Sequence, residues 1–140
     1  MSWDTTDLWN KACVFYRRAY ELERTDESFP LWLIQGFELL SRSALACTHP
    51  ALLADPQQGE NILYAFGFQP KKHPISIPSK TVLHRLTVTV DSFTDADFKD
   101  ATSIMEARNS ELHSGELAFE KYPLKLWYPK LLTLSKKLAE

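Results

Sequence analysis

The feature that most constrains this chain is the recurrence of apolar residues every three or four positions over long stretches, the period of a helix that buries one face. Leu8, Ala12, Phe15, Ala19 and Leu22 follow it first, and the capping region from Asp4 to Asp7 predicts a helix that runs to about Arg24. A second run carries Leu31, Ile34, Phe37, Leu40, Ala44 and Leu45 toward His49. Ser28 is a suitable N-cap for it, and Pro30 falls in the first turn, where its missing N–H costs nothing. The two runs predict an antiparallel helical hairpin.

The texture then changes. Between residues 49 and 79, Pro50, Pro56, Pro70, Pro74 and Pro78 alternate with Gly59 and Gly67, leaving room for one short helix near residues 60–66. A connection of this length fits a functional loop and a plain surface insertion equally well. The row TVLHRLTVTV, inside residues 80–90, is β-branched, but it has only helical neighbours and no evident sheet partner, so a helix is expected. Thr94 then caps a helix with acids in its first turn, carrying Phe98, Ala101, Ile104, Met105 and Leu112 until Ser114 and Gly115 stop it. A last helix begins near Pro123 or Pro129 with Leu131, Leu132, Leu134 and Leu138, and Lys136 and Lys137 oppose its dipole favourably. Its end at Glu140 brings no stop signal, which fits natural fraying or a chain trimmed from a longer protein. The expected fold is all-α, an up-and-down bundle of four to five helices with one long irregular loop.

With 140 residues, the chain suits one domain over residues 1–140 with one buried core. Its formal net charge of −2 argues against coating nucleic acid through a broad positive field, so any RNA contact must be local. Cys13 and Cys47 are too few for a disulfide framework or a cysteine-rich zinc site, and a reducing cytoplasm is the expected compartment. The start MSWDTTDLW lacks a basic region before an apolar run and does not read as a secretory signal. Gln35, Glu38 and Arg42 interrupt the most apolar stretch, so no membrane span is expected.

On a wheel of about 100° per residue, the helix over residues 94–112 places Phe98, Ala101, Met105 and Leu112 in one stripe with Arg108 near its centre. Asn109 and His113 lie along the edge of that stripe, four residues apart on one face. A guanidinium there keeps its proton and must snorkel to water, pair with a carboxylate, or meet an anion such as phosphate. In the plainest reading Arg108 bonds Glu106, Glu111 or another acid, while Asn109 and His113 help end the helix. Glu111 and Glu116 flank His113, where a carboxylate either raises an imidazole's pKa or repels phosphate.

The segment EARNSELHSGE, residues 106–116, resembles the signature of the HEPN superfamily: an arginine, usually a polar residue next, and a histidine after four to six positions. Arg108, Asn109 and His113 fit the shortest spacing. The wider order is similar too: two long helices containing FELLSRSALACTHPALLA, an irregular stretch, a motif helix and a closing helix. Arg42 and His49 also satisfy the loose spacing, but Arg42 lacks an Asn or Asp follower and His49 suits a capping role before Pro50. The resemblance implies a homodimer whose motif residues meet across the interface, and RNA cleavage without a metal or other cofactor. Arg108 and His113 are about 140° apart on one helix, so a two-fold axis brings one protomer's histidine toward the other's arginine. Asn109 then orients the imidazole or holds a phosphate oxygen. An RNA substrate and an antitoxin or defence-system partner protein follow from the same resemblance, as does the alternative of a non-catalytic module for protein or RNA binding.

Lys71, Lys72 and His73 follow Phe66 and Phe68, a combination that holds single-stranded RNA by charge and stacking, although such clusters are more often solvated loops. Trp3, Trp9, Trp32 and Trp127 read as core or interface anchors. The four histidines and two cysteines have no zinc-like spacing, and no phosphate loop, dinucleotide fingerprint or nucleophile elbow is present.

Overall fold

The computed structural model describes residues 2–140. Their regular structure is helical, apart from one antiparallel bridge between Ala54 and Ser76. In chain order the helices are α1 (Thr5–Tyr20), α2 (Phe29–Thr48), α3 (Asn61–Ala65), α4 (Ser79–Thr89), α5 (Asp95–His113), α6 (Ala118–Lys121) and α7 (Leu124–Ala139), with a 3₁₀ turn at Pro50–Leu53. The all-α class is as expected. The five long helices make the bundle, and α3 and α6 are single turns, α6 being an element the sequence pattern did not announce.

The Asp4 carboxylate caps α1 by accepting from the backbone N–H of Thr6 and Asp7. The helix stops at Tyr20, short of the expected Arg24, because the chain folds back through turns in which Asp26 N–H donates to Glu23 and Phe29 N–H to Asp26. The Arg24 guanidinium seals that turn, 4.7 Å above the Tyr20 ring and 4.9 Å above Phe29. Ser28 does not act as the expected side-chain cap: its backbone is already helical, and its N–H donates to the Asp26 carboxylate at 2.7 Å.

Helix α2 is the hub, packed against α1, α4, α5 and α7. It is buried around most of its circumference, with Phe29, Leu33, Ile34, Phe37 and Leu45 inaccessible. α1 and α2 approach closely at Gly36, where an added Cβ would lie 2.8 Å from the Tyr16 ring. Thr5 and Ser43 tie the same pair by donating their hydroxyls to each other's backbone carbonyls, each at 2.8 Å. Trp127, Leu131 and Leu134 of α7 and Ala101 and Ile104 of α5 complete the core.

The β-branched row forms α4 because Val82, Leu83 and Leu86 bury at helical spacing, so tertiary contact overrides strand propensity. The capping box at Thr94 and Asp97 starts α5 as expected. Leu112 does not join the core stripe, being 53% exposed in the last turn of α5. Of the tryptophans, Trp3 and Trp127 are buried and Trp32 is half-buried, while Trp9 remains exposed. Pro123 precedes α7 and Pro129 sits inside it.

The proline-rich excursion is an ordered loop whose ends meet. Ile77 N–H donates to Leu53 at 2.8 Å and Asp55 N–H to Ile75 at 3.0 Å. Asn61, almost wholly buried, braces it by donating to the Asp55 carbonyl at 2.9 Å and accepting from Ile75 N–H at 3.0 Å. His49 Nδ1 accepts from Ala51 N–H at 2.9 Å, the capping role its position suggested. Arg85 of α4 donates to the Leu52 carbonyl.

Candidate functional site

Arg108 is 7% exposed, one of only four buried polar or charged residues among those described. Its partner is Glu38 of α2, 70 positions away: Nη1 donates to the carboxylate at 2.6 Å and to Gln35 Oε1 at 3.1 Å. Of the acids the plainest reading allowed, neither Glu106 nor Glu111 but another, Glu38, forms the pair. The outer side of the guanidinium meets its neighbour, with Nε and Nη2 donating to Asn109 Oδ1 at 3.3 and 3.0 Å.

Those contacts divide the guanidinium into two halves. Nη1 is anchored inward on α2, while Nε and Nη2, the fork that accepts bidentate carboxylates and phosphates, face the exposed Asn109. Of the five N–H donors an arginine carries, one on Nη2 keeps no acceptor among the described residues.

Glu38 has further partners. Its other oxygen accepts from the Ser79 hydroxyl at the start of α4 and pairs with Arg42 at 3.5 Å, one turn along α2. Arg42 in turn donates to Ser76 Oγ at 3.3 Å and the Ile77 carbonyl at 3.0 Å. Burial pushes the Glu38 carboxyl up, but Ser79, Arg108 and Arg42 outweigh it, holding the group ionised below its ordinary 4.5. Two guanidiniums share this one carboxylate, leaving one positive charge in excess inside a net acidic protein.

His113 is exposed at the last residue of α5, and no hydrogen bond or ion pair links its side chain to another described residue. About 7.5 Å further along the axis than Arg108 and on a different face, it does not converge with the guanidinium within one protomer. The flanking acids are engaged elsewhere. Glu111 accepts from Ala118 N–H at 2.6 Å, and Glu116 accepts from Ser110 at 2.7 Å and Lys121 at 3.0 Å. The helix end is thereby joined to α6.

Lys71, Lys72 and His73 are exposed on the loop before α4, near the exposed Phe66 and Phe68, and no side-chain hydrogen bond or ion pair joins them to Arg108, Asn109 or His113. Sequence reasoning missed Gln35, Glu38, Arg42 and Ser79. The signal for three of these was present: Gln35, Glu38 and Arg42 are the polar interruptions of an otherwise apolar helix, spaced so as to share a face. Ser79 carried no such mark.

No family model matches the chain, and no curated protein or solved structure matches it.

Proposed function

We propose that this chain is a HEPN-type domain that cleaves RNA without a metal, as a homodimer, with Arg108, Asn109 and His113 forming a composite site. The observation that carries the reading is the divided guanidinium: Arg108 is fixed from behind by Glu38 and Gln35 and presents its bidentate edge outward. A phosphate takes that edge when the exposed Asn109 amide swings aside, and the excess positive charge favours its arrival. The ribose 2′-hydroxyl then attacks the adjacent phosphorus and the P–O5′ bond breaks, giving a cyclic phosphate and a free 5′-hydroxyl. Arg108 stabilises charge building on the phosphoryl oxygens, and the partner protomer's copy of the histidine at position 113 moves the proton. Lys71, Lys72 and His73 add contacts to the RNA strand. A cytoplasmic setting and an antitoxin or defence-system partner belong to the same reading.

The test is incubation of wild type, Arg108→Lys and His113→Ala with a mixed RNA pool in EDTA. Arg108→Lys retains a charge for Glu38 but lacks the fork, so it separates catalysis from folding better than alanine does. Wild-type cleavage with cyclic phosphate ends, lost in both variants while dimers persist, is the expected result. Absence of cleavage by wild type overturns it.

A second reading has its own observation. Four of the five Arg108 donors are satisfied inside the protomer, as in a residue that staples α5 to α2 in a non-catalytic interaction module. That reading expects Arg108→Lys to lower stability or dimerisation and expects RNA to remain intact.

A further inference from the structure

The Glu38 carboxylate joins two parts of the molecule that are far apart in sequence. One oxygen holds Arg108 at 2.6 Å, and the other holds Ser79 and Arg42. Ser79 opens α4, and Arg42 grips Ser76 and Ile77, the residues that close the excursion. Ile77 is itself bonded to Leu53, where the excursion departs. The path from the loop base to the Arg108 guanidinium therefore passes through one side chain whose acceptor oxygens are all occupied.

We propose that Glu38 is a positioning residue for Arg108, and that the segment closing the excursion, Ser76 to Ser79, sets the guanidinium's place through it. The inference rests on Arg108 being the anion-binding group of the site above. Its physical basis is the geometry of a shared acceptor. A carboxylate held by a hydroxyl and a guanidinium on one oxygen has a fixed plane, and a fixed plane fixes the direction from which Nη1 of Arg108 approaches the other oxygen. When Ser79 withdraws, the carboxylate rotates toward Arg42 and the outer fork of Arg108 turns with it. The excursion, with its exposed aromatic and basic residues, thus controls the site without touching RNA at the reacting atoms. A ligand seated on it alters the reaction by shifting Ser76 to Ser79.

Ser79→Ala removes one hydroxyl that does not contact Arg108, and Ser79→Thr restores it. Two readouts are taken on the full chain: the side-chain Nε–H resonance of Arg108, assigned with Arg108→Lys, and the cleavage constants on a single-stranded RNA. In Ser79→Ala the Nε–H signal shifts and exchanges about fivefold faster, as expected for loss of one supporting hydrogen bond. The kcat falls about tenfold to a hundredfold while KM stays within about twofold, the pattern of a misplaced catalytic group. Ser79→Thr recovers both. Val82→Ala, which hollows the buried face of the same helix, serves as the control for general loosening. The proposal is overturned if the Arg108 signal does not change in Ser79→Ala, or if Val82→Ala changes it as much at equal loss of Tm. Failure of wild type to cleave RNA overturns the proposed function instead, and the resonance arm still decides the positioning claim.

Discussion

Arg108 combines two features that usually fall on different residues: burial against the Glu38 carboxylate and an outer edge held only by the exposed Asn109 amide, the edge that the proposed function gives to a phosphate. Removing the side chain leaves Glu38 half-buried but still paired with Arg42 and Ser79, so the loss is that of a charge-assisted hydrogen bond, and Arg108→Ala is expected to cost about 1.5–3 kcal/mol of stability, measured by urea unfolding. His113, exposed and unpaired, is expected to cost no more than about 0.5 kcal/mol when replaced by alanine. Equal losses would mean that Arg108 is no more anchored in the fold than His113. Glu38 adds a pH dependence with a definite sign. Its folded-state pKa lies below its ordinary 4.5, so its contribution is present above that pH and is lost as pH falls through the depressed value. Asp97 behaves alike: burial raises its carboxyl, but Lys137 at 2.7 Å and Thr94 outweigh it and lower the pKa. Glu38→Gln is therefore expected to make the fall of Tm between about pH 5 and pH 3 shallower without abolishing it. An unchanged slope would show that the Arg42–Glu38–Arg108 cluster does not stabilise the fold.

At the level of elements, the α1–α2 hairpin is the rigid support on which Gln35, Glu38 and Arg42 stand. Gly36 permits its close approach, so Gly36→Ala drives a methyl into the Tyr16 ring, with the Tyr16 backbone nitrogen also within 3.3 Å. Overpacking costs about 1–3 kcal/mol and outweighs the gain of about 1 kcal/mol in helix propensity, so a lower Tm is expected. A higher Tm in thermal unfolding would mean that the helices separate easily and that the support is soft. The hairpin was legible from its apolar spacing, and α5 from its capping box, because both signals are local. Helix α4 was harder to read, since its row is rich in β-branched residues and it is the burial of Val82, Leu83 and Leu86, on a helix packed against α2, rather than propensity that makes it helical. The end of α1 was misplaced because Arg24 covers aromatic rings from two helices, a contact with no sequence period. At the site, the wheel brought Arg108 to the core face, but its partner lay 70 positions away and no local pattern pairs the two. The closing of the excursion on Asn61 was hidden for the same reason, since the asparagine's two bonds reach positions 6 and 14 residues distant.

At the scale of the whole molecule, one protomer holds an anchored guanidinium and a free imidazole that do not converge, and the central claim is that two protomers complete what one lacks. Mixing subunits tests this more directly than any single variant. Arg108→Lys and His113→Ala are each purified, shown by light scattering to be dimeric, then mixed under conditions that exchange subunits, with RNA cleavage followed in EDTA. If the arginine and histidine of each site come from different protomers, random exchange rebuilds one intact site in half of the dimers, and activity returns to about a quarter of wild type. If mixing two dimeric, folded and individually inactive variants restores nothing while wild type cleaves, the site does not span the dimer and the composite arrangement is wrong.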